Sequence, residues 1–188
     1  MKIYCTRNEL NRAINNVSHS IPTRTPSPIL EGILIETKGD RMYLTATDTN
    51  MTIESNIPVD SEGDVSFVIE EKNFANIVNK LPEEEVLMDY NHEKNQIKIN
   101  SGKSSSTFNC FSADEFPRFN IGEGQKIILS KKDIKNLIRK TSFSASADEL
   151  NGVLTGILIE LGDGNLRMVA VDTFRMAIYN AKVDTDEK

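Results

Sequence analysis

Apolar residues recur along this chain with two different periods. Leu10, Ala13, Ile14 and Val17 stand three and four apart, as do Ile134, Leu137, Ile138 and Thr141, and each set marks the single apolar stripe of an amphipathic helix. Thr6 with Glu9, and Ser130 with Asp133, open these helices as capping boxes, in which each side chain can satisfy a free backbone amide. A third helix is predicted over "EKNFANIVNKL", closed by Pro82. Elsewhere the pattern shortens to alternation, which predicts strands at "KIYC", "ILEGILIET", "RMYLTATDT", "MTIESNIPV", "DVSFVIE", "EVLMDY", "QIKIN" and "SSTFNCF". Three more follow the helix near residue 131, at "VLTGILIEL", "LRMVAVDT" and "MAIYNAKV". Turns fall at "KGD", "DTN", "HEKN", "SGK" and "GDGN", and "SIPTRTPSP" is a proline-rich loop.

The pentapeptide "GILIE" occurs at 32 to 36 and again at 156 to 160. Holding that offset of 124 aligns residues 1–59 with 125–183 without a gap, and sixteen of the 59 pairs are identical. Chance supplies about four. The pattern strand, helix, three strands therefore repeats at domain scale, and it recurs more faintly within residues 60–121. The fold class is α+β: a domain of two βαβββ halves over 1–121, and one further half over 122–188. The chain is expected to be a truncated piece of a longer one, with a sheet edge and a helix face left uncovered in the second domain, which favours association of two copies.

Apolar content of 38% and charged content of 27% describe a soluble globular chain, and no run is long enough to span a bilayer. "MKIYCTRNEL" has no hydrophobic signal core, so a cytoplasmic location is expected. Cys5 and Cys110 lie in strand-like runs and read as buried, reduced thiols.

The formal charge of −6 argues against a nucleic-acid partner only as an average. Residues 131–140 carry Lys131, Lys132, Lys135, Arg139 and Lys140 against Asp133 alone, a local +4. Lys131, Lys135 and Arg139 form one row opposite the apolar stripe. The first helix shows Arg7, Asn11, Arg12, Asn15 and Asn16, and the other helix Lys72, Asn73, Asn76, Asn79 and Lys80. One basic row is most simply a solvated face. Three helices at equivalent places, with acids confined to their first turns, point instead to a polyanion site. Lys and Asn reach phosphates without reading bases, and neither a recognition helix nor an aromatic platform is visible, so duplex binding without sequence preference fits best.

No catalytic set emerges. His19, on a helix, and His92, in a turn, lack neighbours at metal-ligand spacing, and no metal or cofactor is expected. "GEG" at 122 to 124 reads as a linker before a strand rather than a phosphate loop. Asp48 and Asp172, at matching strand ends, read as turn-formers rather than catalytic acids.

The runs "MKIYCTRNELNRAINNVSHSI", "RTPSPILEGILIE", "LTATDTNMTIE", "NKLP", "INSGKSSSTF" and "FSADEFPRF" resemble the N-terminal domain of the bacterial DNA polymerase III beta subunit, the sliding-clamp family. "TSFSAS", "VLTGILIE" and "VAVDTFRMAI" are similar to the start of that family's second domain. The resemblance implies the DNA clamp fold: a head-to-tail dimeric ring of similar domains, with helices lining a hole around duplex DNA. It implies no enzymatic activity of its own, and as partners the polymerase III catalytic subunit, the clamp loader and other proteins bearing clamp-binding motifs. The DNA-contacting loop arginine matches Arg24, and an inner-helix position, often basic, matches Asn73. A second DNA-touching loop matches residues 148–152, where Asn151 stands in place of a frequent Arg. The half of the family's partner pocket lying in domain two matches Leu154, Val171, Thr173, Phe174, Arg175 and Met176, with Val171 and Thr173 departing from the usual Thr-Asp-Gly. Motif binding by this chain alone is therefore expected to be weak. The runner-up reading is a non-catalytic interaction module whose basic helices hold an acidic partner.

Overall fold

The computed structural model describes residues 1–118, 127–162 and 164–183. The chain divides into two compact units, Met1–Phe119 and Asn120–Lys188. The "GEG" linker and the start of the strand expected after it lie outside the described residues.

In the first unit the elements run β1 (Lys2–Thr6), α1 (Arg7–Val17), β2 (Gly32–Lys38), β3 (Arg41–Thr47), β4 (Thr52–Pro58), β5 (Asp60–Ser61), β6 (Ser66–Glu70), α2 (Glu71–Asn79), β7 (Glu85–Asn91), β8 (Gln96–Ser101) and β9 (Ser104–Ser112). All strand pairs are antiparallel and form one nine-stranded sheet in the order β4-β3-β2-β6-β9-β8-β7-β1-β5. Each half lends its leading strand to the other. β6 opens the second half in sequence yet pairs with β2 of the first, from Gly32↔Glu70 to Glu36↔Ser66, while β1 pairs with β7. The two halves are thus repeats of sequence but not separate sheets. Only Val59 separates β4 from β5, which brings the two ends of the sheet together and wraps it around the helices.

That wrapping encloses the core. Leu10, Ala13, Ile14 and Val17 of α1 and Phe74 and Val78 of α2 pack with Ile3, Ile33, Ile35, Phe67, Ile69, Ile97 and Ile99, all fully buried. Burying side chains of this size stabilises by about 1.5–3 kcal/mol each. On the opposite face of the sheet a smaller cluster joins Leu34 and Val68 to Ala113 and Phe116. Gly32 has to be glycine: a Cβ there would come within 2.5 Å of Val68 Cγ1 and 3.1 Å of the Ile69 carbonyl.

The second unit holds α3 (Lys131–Thr141), β10 (Leu158–Gly162), β11 (Asn165–Val171) and β12 (Met176–Lys182). α3 falls 124 residues after α1, and the sheet order is β10-β11-β12. Leu137, Leu166, Met168 and Val183 form its buried centre. β10 has no strand on its far edge among the described residues.

Several local expectations need correction. "ILE" and "VLT" do not begin strands. Pro28–Glu31 is a 3₁₀ turn that opens on Pro28, whose fixed φ suits a first helical position, and Glu149–Thr155 is two short 3₁₀ turns separated by a kink at Gly152 (φ 52°, ψ −117°), a left-handed φ that glycine tolerates. His19 lies in a short 3₁₀ turn, Ser18–Ser20, past the end of α1. Ile138 is 47% exposed rather than part of a buried stripe. Cys5 and Cys110 are free but only half-buried, although burial still pushes both thiols up to about 12. The capping boxes are one-sided. Thr6 and Ser130 accept the Glu9 and Asp133 amides at 3.3 and 3.1 Å, but the acidic side chains accept those same hydroxyls instead of reaching a backbone amide.

Candidate nucleic-acid interface

The sequence of α3 builds a charged rod from both ends. Asp133 lies in its first turn, and Arg139 and Lys140 in its last, so each end complements the helix dipole. Leu137 and Thr141 fix the buried side, with the Thr141 hydroxyl donating to the Leu137 carbonyl at 2.7 Å. Lys131, Lys132, Lys135, Arg139 and Lys140 are all exposed. At about 1.5 Å per residue, Lys131, Lys135 and Arg139 stand about 6 Å apart over about 12 Å of axis. None of the five forms an ion pair among the described residues. Lys140 rests 5.1 Å from the centre of the Tyr179 ring, which holds it against the sheet. Four cations are left facing solvent.

The first unit presents much less charge. Two cations and one acid give α1 a net +1, and Lys72 and Glu71 cancel in α2. Arg7 is used internally: its guanidinium donates to the Leu81 carbonyl at 2.9 Å and lies 3.7 Å from Glu84. Asn73 donates to the Glu70 carboxylate, and Asn11 faces Asn79 at 3.5 Å. Arg12, Lys72 and Lys80 are exposed and free of ion pairs among the described residues, as is Arg24 in the loop after α1. Position 148, the repeat partner of Arg24, holds an acid. Asp148 accepts the Leu150 amide at 3.0 Å, and in the same turn Asn151 donates to the Ser146 hydroxyl at 2.7 Å.

The residues matched to a partner pocket surround a second, rigid turn. Asp172 Oδ1 accepts the amides of Phe174 and Arg175, each at 2.8 Å, and Oδ2 accepts Arg175 Nε at 2.9 Å. These bonds hold its carboxyl below the usual aspartate range, the Phe174 amide foremost. Asp48 does the same at the equivalent place, accepting from Asn50 and Met51 at 2.9 and 2.7 Å. Its carboxyl is lowered chiefly by the Met51 amide. Both aspartates are turn-formers. The second turn displays Phe174, 95% exposed, and Met176, 62% exposed. Thr173 and Arg175 are exposed beside them, and Val171 and Leu154 are half-buried. Arg175 also stacks 5.7 Å from the Phe143 ring, a neighbour that residue-by-residue matching overlooked. Phe143 could have been found as an aromatic residue just past a helix end, where copy one has His19. Leu150 and Val153, at 93% and 91% exposure, add apolar surface on the loop before β10.

Among the described residues no cluster of three His, Cys, Asp or Glu side chains could hold a metal ion, and no helix is long and apolar enough to cross a membrane.

With this geometry in hand, comparison with known proteins places the chain. The model of the DNA polymerase III beta subunit N-terminal domain matches residues 1–120, and that of its central domain matches 128–188. A beta sliding clamp of Halalkalibacterium halodurans is 35% identical over 184 residues, covering 93% of this chain and 48% of that protein. The Bacillus subtilis beta sliding clamp is 34% identical over 197 residues, covering all of this chain and 52% of that protein. The chain spans about half the length of these curated relatives. Its fold superposes on the crystal structure of the Bacillus subtilis sliding clamp with a TM-score of 0.93 at 32% identity, covering all of this chain and 51% of the other. On a DNA polymerase III beta subunit structure from Eubacterium rectale it scores 0.90 at 31% identity, covering 98% and 51%. The N-terminal model alone accounts for well over half of the residues, and the chain belongs to the DNA polymerase III beta subunit family.

Proposed function

We propose that this chain works as part of a sliding clamp, a processivity factor that encircles duplex DNA without sequence preference and tethers the replicative polymerase. It has no catalytic role of its own, acts in the cytoplasm, and serves within a homodimeric ring. Its partners are the polymerase III catalytic subunit, the clamp loader and other proteins carrying clamp-binding motifs, which dock at Leu154, Val171, Thr173, Phe174, Arg175 and Met176. The domains are those read from the repeat, 1–121 and 122–188. The observation that carries this reading is the exposed cationic row of α3, a helix of net +4 in a chain of −6. Arg24, Arg12, Lys72, Asn73, Lys80, Asn151 and Lys132 supplement it, while Arg7 contributes by bracing the Leu81 turn.

The test is fluorescence anisotropy of a duplex oligonucleotide over a salt series. About three phosphates neutralised by α3 give a slope of log K against log salt near −3. Lys135→Glu with Arg139→Glu removes most of that slope and weakens binding at low salt by about tenfold or more. An unchanged slope, or no binding to the duplex at low salt, would overturn the assignment and leave the basic face to an acidic protein.

A further inference from the structure

The seam where the ends of the nine-stranded sheet meet is also a groove. A cavity of about 630 Å³ opens there, within the size range of ligand-binding clefts. Its apolar surface comes from Tyr4, Pro58, Val59 and Leu87, and Tyr4 remains 45% exposed. Glu9, Asp40, Asp60, Glu83 and Glu85 surround it, and among the described residues the lining contains no Lys, Arg or His. None of these five carboxylates has an ion-pair partner among the described residues. β1 pairs with β5 at Ile3 and Tyr4, so on that side Cys5 and Thr6 have no strand neighbour among the described residues. An apolar floor asks for an apolar side chain. Five unneutralised acids around it ask for flanking cations. A short free strand edge suits an extended backbone.

We propose that this groove is a docking site for an extended peptide segment carrying one large apolar side chain between Lys or Arg residues. The site lies in the first unit and has the opposite charge to the α3 row, so it takes a protein segment and repels DNA.

The test uses the 188-residue chain and a fluorescein-labelled hexapeptide, Lys-Arg-Leu-Phe-Lys-Arg, with two rivals: Lys-Arg-Gly-Ser-Lys-Arg, and spermine as competitor. The anchored peptide binds at low salt at least tenfold more tightly than the anchor-free one. Asp60→Lys with Glu85→Lys, both at exposed positions, weakens it at least tenfold while leaving the amide-exchange protection of β1 and β7 intact. Lys135→Glu with Arg139→Glu leaves it unchanged, which separates this site from the DNA-binding reading. Equal binding of the two peptides, displacement by spermine at equal concentration, or indifference to the Asp60/Glu85 reversal each overturns the proposal. Should Tyr4→Ser, a further probe of the floor, fail to fold, the comparison of peptides on the unaltered chain still decides.

Discussion

Ile35 and Ile159 hold the same place in two copies of one pentapeptide, yet Ile35 is fully buried and Ile159 is 57% exposed. The same contrast separates Leu34 at 3% from Leu158 at 57%, and Ile14 at 0% from Ile138 at 47%. Local conformation does not explain it, since β2 and β10 both run antiparallel to the strand that follows, in matching register. The difference is one of neighbours. In the first unit β6 pairs along β2, α2 packs beside α1, and the segment around Phe116 covers Leu34. Among the described residues of the second unit, β10 meets only β11. Burial in this fold is therefore supplied by the partner half, and a helix with three strands makes an organised but half-covered layer.

Core truncation tests this contrast most strongly. Ile35→Ala costs about 2–5 kcal/mol in urea unfolding of the first unit, the usual loss for a large aliphatic residue replaced by Ala in a packed core. Ile159→Ala costs less than about 1 kcal/mol by amide exchange in β10 and β11, because much of that side chain is already in water. Equal costs would show that Ile159 is covered in solution, for instance by a second copy.

Glycine gives a smaller effect of the same sense. In Gly32→Ala the new methyl meets Val68 and a β6 carbonyl, and overpacking of this kind costs about 1–3 kcal/mol. Gly156→Ala meets nothing nearer than the Val153 carbonyl at 3.5 Å, with an ordinary backbone at φ −95°, and changes stability within about 0.5 kcal/mol. Loss of stability in Gly156→Ala would mean that β10 has a close neighbour.

The smallest effect sharpens the comparison at a point where the copies agree. Asp48 and Asp172 both have carboxyls held below the ordinary 3.8 by amide hydrogen bonds. A depressed folded value stabilises above the unfolded one, so both turns hold at neutral pH and loosen only as pH falls through that lowered range. Carbon-detected NMR titration of the two carboxyls is expected to give midpoints below 3.8 for both. A midpoint at or above that value in either would remove the turn-forming role there.

Much of this architecture was legible in the sequence because it is local and repeated. The period-3.6 stripe and its cap residues located α1 and α3, and alternation located the strands to within a few residues. Signals failed where a single residue overrode the pattern. Pro28 opens a 3₁₀ turn over "ILE", and the kink at Gly152 separates "VLT" from the turn before it. The candidate site was legible as charge, since the row of α3 needs only helical spacing. The internal use of Arg7 was not, because its partners Leu81 and Glu84 lie more than seventy residues away.

Sequence by itself determined the elements, the two copies and the segregation of positive charge onto α3, since each depends on residues within a few positions of one another or on identity at a fixed offset. Tertiary structure alone decided which half lends a strand to which, that the ends of the sheet meet to form an acidic groove, and that identical "GILIE" segments are buried in one place and wet in the other. Those outcomes depend on which surfaces come within a few ångströms across long stretches of chain, and a side chain carries no record of what will cover it.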